Sequence, residues 1–283
     1  MKLSYYPGCS LEGTAADYDR SVRAVCAGLG IELVEIGDWN CCGASSAHMT
    51  AHHAGMRLAI RNLLLAEQAG HDILVPCAAC FQRLKAAAEA LREDPLYWDG
   101  QGYAGKGRII HISTLLADPN LVAKMVEAVP HKLTGFRVAC YYGCLSLRPP
   151  RLSEAANHEM PETLERIVTA VGAEPVRWSH RTECCSGSLT MTRADIAEKL
   201  VGDIVTAAAR AGAQALVTDC PMCQANVESR QPADGRERLP VFYATELIAA
   251  ALSGDYPARQ RRGHLVDPGV LPRSLAVSGE EVR

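Results

Sequence analysis

Aromatic side chains are scarce, at 5% of 283 residues with only three Phe, so the core has to be built from Ala, Leu, Val and Ile. Neither sign of charge dominates: 29 Lys plus Arg face 32 Asp plus Glu, a formal net charge of −3. That balance gives no basic face for nucleic acid or for an anionic membrane. No apolar run reaches the ~18 residues of a bilayer span. The opening MKLSYYPGCS has no apolar signal-peptide core, and the expected location is cytoplasmic. Also missing is the tight Cys-x2-Cys-x2-Cys-x3-Cys-Pro run of bacterial ferredoxins. With 48% hydrophobic residues, the chain still has material for one large domain or two half-size ones.

What the sequence does have is cysteine, twelve in all, too many for a reducing compartment that does not use structural disulfides. Ten of them form two copies of one pattern. Cys9 is followed after 31 residues by Cys41-Cys42, and after 34 more by Cys77-Ala-Ala-Cys80. Cys144 is followed after 39 residues by Cys184-Cys185, and after 34 more by Cys220-Pro-Met-Cys223. The last four positions repeat at a constant offset of 143 residues and the first at 135. The flanks repeat as well: Tyr5-Tyr6-Pro7-Gly8-Cys9 answers Tyr141-Tyr142-Gly143-Cys144, and residues 69–77 answer 211–220. Such a repeat means a duplicated module. The expected modules span residues 1–116 and 117–252, with connecting stretches at 94–107 and 117–136. Residues 253–283, with Pro, Gly and Arg-Arg but few clustered hydrophobics, read as a tail that is disordered or docks a partner.

Within each module strands alternate with helices. Strands are expected at 2–6, 31–36 and 72–75, and again at 137–141, 174–178 and 215–218. Helices are expected at 15–29, 49–69 and 81–91, then at 161–171 and 192–211. This is an α/β fold of two similar βαβ-type modules with mostly parallel sheets, related by internal duplication. Every cysteine group follows a strand, so the groups meet at the carboxyl edge of the sheet, where ligands bind in such folds. The Cys-Cys pairs and the Cys-x-x-Cys motifs also precede helices, whose N-terminal N–H groups favour negative charge. Five thiolates converging on one site, twice over, is the expectation.

Soft thiolates select zinc, copper(I) or iron–sulfur clusters. A zinc site closes with four ligands and typically uses two short pairs, whereas each module here offers one short pair, one vicinal pair and a remote single Cys. Adjacent cysteines strain one tetrahedral ion but reach different irons of a cluster. A cubane needs only four thiolates, so the fifth points to an opened or otherwise unusual four-iron cluster. A thioredoxin-like reading of the two Cys-x-x-Cys motifs would leave six patterned cysteines unexplained.

Two copies of Cys-x(31–39)-Cys-Cys-x(34)-Cys-x-x-Cys resemble the CCG, or cysteine-rich, domain of the B-type subunit of heterodisulfide reductase, a family with a type found in sulfur-oxidising bacteria. Cys41-Cys42-Gly43 supplies the triplet; the second copy reads Cys184-Cys185-Ser186-Gly187, its Gly one place late. The run Tyr141-Tyr142-Gly143-Cys144 through Arg148-Pro149 is also similar to the family. The resemblance covers roughly residues 1–250. It implies a noncubane [4Fe-4S] cluster in each module, held by Cys9, Cys41, Cys42, Cys77 and Cys80 in the first and by Cys144, Cys184, Cys185, Cys220 and Cys223 in the second. It implies a disulfide gripped between the clusters and split one electron at a time, or formed in reverse as potentials dictate. The substrate it implies is the coenzyme M–coenzyme B disulfide, or a lipoate-type disulfide or sulfur-carrier protein. An iron–sulfur C-type subunit and a flavin A-type subunit are the implied partners, and the missing ferredoxin run also calls for partners. Similar duplicated modules occur beside succinate, glycolate, lactate and glycerol-3-phosphate dehydrogenases. The alternative is therefore a non-catalytic electron-transfer subunit of a dehydrogenase–quinone complex.

Other signals are weaker. His48 and His52 are spaced i, i+4 beside His53 after the first pair, where a general acid would suit, although surface or capping histidine is the plainer reading. Arg181, Glu183 and Asp219 stand next to cysteines and could bias their charge; a loop role is plainer. Cys26 lies on the apolar face of its helix and reads as a buried thiol; Cys140, at a strand end four residues before Cys144, reads as core, with a redox thiol near the second site as the alternative. Gly100-Gln-Gly-Tyr-Ala-Gly105 matches G-x-G-x-x-G, but it precedes the strand-like run 108–112 instead of a helix and reads as a loop.

Overall fold

The computed structural model describes residues 1–44, 47–94, 102–232 and 238–280, without the side chains of His48 and of 276–280. The described residues contain eight strands: β1 (Lys2–Tyr5), β2 (Glu32–Glu35), β3 (Ile73–Val75), β4 (Ile109–His111), β5 (Arg137–Cys140), β6 (Glu174–Pro175), β7 (Ala215–Thr218) and β8 (Val241–Tyr243). They form two four-stranded sheets of the same order, β2-β1-β3-β4 and β6-β5-β7-β8. Every pairing is parallel. The central strands β3 and β7 are buried along their whole length, as apolar runs covered by helices on both faces must be.

Helices expected at 15–29, 161–171 and 192–211 are there as Ala16–Gly28, Thr163–Ala170 and Ala194–Arg210. The 49–69 stretch breaks at Ala51, whose backbone is extended, into Ala47–Thr50 and His52–Ala69. Gly70, left-handed at φ 72, stops it as expected. The helix expected from residue 81 starts earlier, at Ala78, with Cys77 as its N-cap. The later Cys of each Cys-x-x-Cys therefore sits in a first helical turn. β6 is shorter than the expected 174–178: the Trp178 indole N–H donates to the Cys140 carbonyl at 3.1 Å. The three-residue β8 had no counterpart among the expected strands. Periodicity carries little signal over so short a run.

The two halves share one core. Tyr5, Val22, Val25 and Leu63 belong to the same buried cluster as Phe136, Phe242, Leu247 and Ile248. Helix Ala16–Gly28 packs along helix Ala244–Ser253. Gly28 faces that helix closely: a Cβ on it would lie 2.9 Å from Leu252 Cδ1, a methyl that would have to move aside.

The stretch beyond 253 departs from the disordered reading, since its described part folds back onto this core. It carries helices Ala258–Arg261 and Val270–Glu280, and Tyr256, Leu271 and Leu275 are buried. Three apolar anchors are too few to stand out in composition, and polar bonds do the rest. Gln260 accepts from Arg20 Nε at 3.0 Å and donates to the Asp17 carbonyl at 3.1 Å. His264, its side chain fully enclosed, sits 2.9 Å from Glu228 Oε1 and 3.5 Å from Glu246 Oε1, with Tyr256 Oη 2.8 Å away.

Burial alone would lower the His264 pKa, but its hydrogen bonds to Glu228 and Glu246 outweigh that and push it up to about 10. The stability this raised group supplies is complete below the unfolded value of about 6.5 and is lost as pH rises through about 10. His264→Gln leaves two buried carboxylates without their cation and should cost about 3–5 kcal/mol at pH 7. Denaturant midpoints measured against pH should show that difference shrinking as pH approaches 10. A pH-independent difference would mean that packing, and not charge, is what His264 provides.

Candidate functional site

The three cysteine groups of each half arrive at one edge of the sheet. In the first half Cys9 lies in helix Gly8–Glu12 after β1, Cys41-Cys42 in the loop after β2, and Cys77 and Cys80 at the start of the helix after β3. Cys9 Sγ is 3.6 Å from Cys41 Sγ, and Cys42 Sγ is 3.2 Å from Cys80 Sγ. The second half repeats the arrangement, with 3.7 Å between Cys144 and Cys184 and 3.7 Å between Cys185 and Cys223. All twelve thiols are free. Each site has an inner, buried trio, Cys42, Cys77 and Cys80 or Cys185, Cys220 and Cys223. Its outer pair opens to solvent: Cys9 and Cys41 are exposed, as is Cys184, with Cys144 half-buried. Among the described residues no group of three or more His, Cys, Asp and Glu is set to hold a single metal ion.

Left-handed backbone makes these approaches possible. Gly8 and Gly143 have φ of 72° and 64°, and a Cβ on either would lie 2.9 Å from Cys80 Sγ or 2.8 Å from Cys223 Sγ. After each pair the chain again turns left-handed, at Gly43 with φ 75° and at Ser186 with φ 60°. Ser186, not the late Gly187, is thus the partner of Gly43. The turn points the Gly43 amide at Cys41 Sγ (3.4 Å) and the Ser186 amide at Cys184 Sγ (3.3 Å).

Two tyrosines that the pattern of cysteines did not single out support these turns. Tyr6 donates to the Asn40 carbonyl at 2.7 Å and Tyr141 to the Glu183 carbonyl at 2.8 Å. Each acceptor immediately precedes a Cys pair, and each Tyr also meets a Trp ring, Trp39 at 5.5 Å or Trp178 at 6.3 Å. The signal was in the sequence: each Tyr stands three residues before the first Cys of its set.

Charge is distributed unevenly over the thiols. Hydrogen bonds from Cys41 and Cys80, with an amide from Ala44, push Cys42 down. Cys184 falls to about 6 with Cys144 hydrogen-bonded to it and the Ser186 amide behind. Cys185 is lowered by its bond with Cys223, whereas Cys80 and Cys223 are pushed well up by the same contacts and by burial. Cys26 and Cys140 stand apart, fully buried. Burial pushes the Cys26 thiol up to about 12 and raises Cys140 well above its usual range.

Between the two sites lies Tyr18, a residue the sequence did not single out. Its hydroxyl is 3.2 Å from the Pro76 carbonyl and 3.0 Å from the Asp219 carbonyl, the residues that precede Cys77 and Cys220. Its ring stacks on Tyr243, centroids 3.9 Å apart at 6°. Close by, His111 Nδ1 is 3.6 Å from the buried Asp219 carboxylate, which has no hydrogen-bond partner among the described residues.

The remaining candidates resolve plainly. His52 and His53 are exposed, and the His48 side chain lies outside the described residues. Arg181 pairs with Glu165 at 3.3 Å, and Glu183 contributes its carbonyl while its side chain is exposed. Gly100 and Gln101 of the G-x-G-x-x-G match lie outside the described residues. Residues 102–107 form a loop in which the Ala104 and Lys106 amides already donate to the Glu67 carboxylate at 3.1 and 2.9 Å.

The profile of a family described as a cysteine-rich domain (CCG) matches residues 3–85 and again 138–228. A membrane anchor subunit of an 8-methylmenaquinol:fumarate reductase from Wolinella succinogenes is 32% identical over 271 residues, 92% of this chain and 94% of that one. A protein from Archaeoglobus profundus described as like the B subunit of heterodisulfide reductase is 26% identical over 274 residues, covering 90% and 92%. The B subunit of a CoB-CoM heterodisulfide reductase from Methanosarcina acetivorans is 26% identical over 275 residues, 89% of each chain. A hypothetical protein from Helicobacter pylori shares the fold at a TM-score of 0.69 with 10% identity; 94% of this chain matches, spanning 52% of that one.

Because an L-residue held left-handed is strained by about 1–2 kcal/mol and Gly offsets part of that through unfolded-state entropy, Ser186→Gly should stabilise by up to about 1 kcal/mol. Gly43→Ala should do the opposite, its Cβ falling 3.1 Å from Ala47 Cβ and from Leu58 Cδ1. Urea midpoints moving in the same direction for both would refute the equivalence of the two turns.

Proposed function

The chain belongs to the cysteine-rich CCG domain family, and from that premise we propose that it is the iron–sulfur subunit of a cytoplasmic heterodisulfide-reductase-like complex. In this reading it reduces or forms a disulfide at two [4Fe-4S] clusters, both noncubane. The observation that carries the reading is the pair of matching five-thiol sites, each with a buried trio and an open outer pair. The residues fit such a group. Soft thiols outnumber the four a cubane needs, and glycines stand where a Cβ would strike a ligand sulfur. Cys9, Cys41, Cys42, Cys77 and Cys80 would hold one cluster, and Cys144, Cys184, Cys185, Cys220 and Cys223 the other.

When bound, the clusters supply one-electron chemistry and thiophilic iron. Cleaving a disulfide takes two electrons and two protons and yields two thiols; the reverse releases them. Two sites in one chain match two one-electron steps. The outer thiols mark the side on which a substrate arrives: Cys9 and Cys41 border an open cavity of about 510 Å³ with Glu12, Trp39 and Asn40 on its wall. Electrons come from partner subunits, an iron–sulfur C-type and a flavin A-type protein. The substrate is a small disulfide or a sulfur-carrier protein. A second reading is favoured by the 32% identity to a menaquinol:fumarate reductase anchor subunit: the chain passes electrons between a dehydrogenase and a quinone. Among the described residues no helix is long and apolar enough to cross a membrane, so anchoring in that reading falls to another element or another chain.

Protein purified without oxygen should contain about eight iron and about eight sulfide per chain, and Cys41→Ala and Cys184→Ala should each lose about half. Reduced viologen should then drive disulfide reduction. Persistent inactivity with both clusters intact would sink the catalytic reading and leave electron transfer. Zinc without sulfide would overturn both.

A further inference from the structure

Tyr18 has one hydroxyl proton, two carbonyl acceptors, and a thiol site behind each acceptor. A hydroxyl has a single O–H to donate, yet the Tyr18 oxygen lies 3.0 Å from the Asp219 carbonyl and 3.2 Å from that of Pro76. The proton can favour only one of them at a time. The Pro76 carbonyl is half of the peptide unit whose N–H belongs to Cys77, and the Asp219 carbonyl is half of the unit that carries the Cys220 N–H. A hydrogen bond to a carbonyl polarises the whole unit and makes its N–H more positive. Hydrogen bonds and dipoles around cysteine sulfurs are among the levers that set the potential of the centre they hold.

The ring itself is immobile. Tyr18 is fully buried and stacked flat on Tyr243, so the phenol cannot swing away and the O–H rotor is its remaining freedom. Among the described residues the Tyr18 hydroxyl is the group that bonds to both carbonyls. The arrangement joins the halves of the duplication, with Tyr18 in the first and Asp219 in the second.

Resting on the two-cluster reading above, we propose that Tyr18 is a positioning residue that couples the two sites, its one proton turning toward whichever carries more negative charge. An added electron at one site draws the O–H toward the carbonyl on that side, stabilising the extra charge there. The other peptide unit loses the bond, and its site becomes harder to reduce. By reciprocity each site acts on the other to the same extent. The first and second electrons are therefore set further apart in potential than charge repulsion alone would set them, and disulfide chemistry proceeds through a defined singly reduced state.

The test is a redox titration followed by EPR on the cluster-loaded chain. Iron and sulfide are measured first, and a wild-type chain without two iron–sulfur centres would fail the functional reading before the coupling is examined. Given two centres, the wild type should titrate at two separated potentials. Tyr18→Phe keeps the ring and its stack on Tyr243 but removes the shared proton; its iron content should be unchanged and its two potentials should move together. Tyr243→Phe keeps the bridge and should retain the wild-type separation. Incorporating 3,5-difluorotyrosine at position 18 preserves the fold and makes the hydroxyl a stronger donor, so the separation should widen. A wild type with one unsplit potential, or a separation indifferent to both changes at position 18, would overturn the proposal.

Discussion

Five thiols from three distant stretches of chain can meet only if three strands end at the same edge. That requirement is what parallel pairing supplies: β1, β2 and β3 run the same way, so their carboxyl ends, with Cys9, Cys41-Cys42 and Cys77 beyond them, open on one side. An antiparallel arrangement would send one of the three groups to the far end. The duplication then repeats the solution in the same strand order. Once the edge is crowded with sulfur, little room is left for ordinary backbone, and the left-handed turns at Gly8, Gly43, Gly143 and Ser186 follow from that crowding.

Much of this was legible because cysteine spacing is sharp where helix and strand periodicities are blurred. Offsets identical to the residue for Cys41, Cys42, Cys77 and Cys80 identify a repeat that the matching flanks around Cys9 and Cys144 and before Cys77 and Cys220 support. The helical stretch up to residue 69 and its stop at Gly70 followed from apolar spacing and from the conformational freedom of glycine, while the break at Ala51 did not. What escaped was short or relational. β8 is three residues long, and Cys77 caps a helix that apolar spacing alone began later. Tyr18 lies in an ordinary amphipathic helix, and nothing local marks a hydroxyl whose acceptors are 58 and 201 residues away. Tyr6 and Tyr141 were visible as repeated letters, while their role depended on which carbonyl each would meet.

The two halves are similar in plan and unequal in detail. The left-handed residue after the pair is a glycine in one and a serine in the other. The outer cysteine that follows the first strand is exposed in one and half-buried in the other. At the ends of the fourth strands His111 faces Asp219 while Tyr243 faces Tyr18. Duplication supplied the scaffold, and the copies differ both at their thiol sites and at the interface between them. The Asp219 carboxylate, buried with no hydrogen-bond partner among the described residues, sits at the interface between the copies at an energetic disadvantage.

The closing stretch of the chain clasps its opening helix: Gln260 bonds to Arg20 and to the Asp17 carbonyl, and Leu271 and Leu275 enter the core that Tyr5 and Val22 belong to. Chains are made from the N-terminus, and early segments fold while later ones are still being synthesised. For this chain that order runs against the architecture. The ribosome has finished the thiols of the first site, and even those of the second, before it makes the residues that cover helix Ala16–Gly28. The nascent protein therefore passes through a stage in which all ten patterned cysteines have been made while the core is unsealed, a window in which their thiols are open to oxidation.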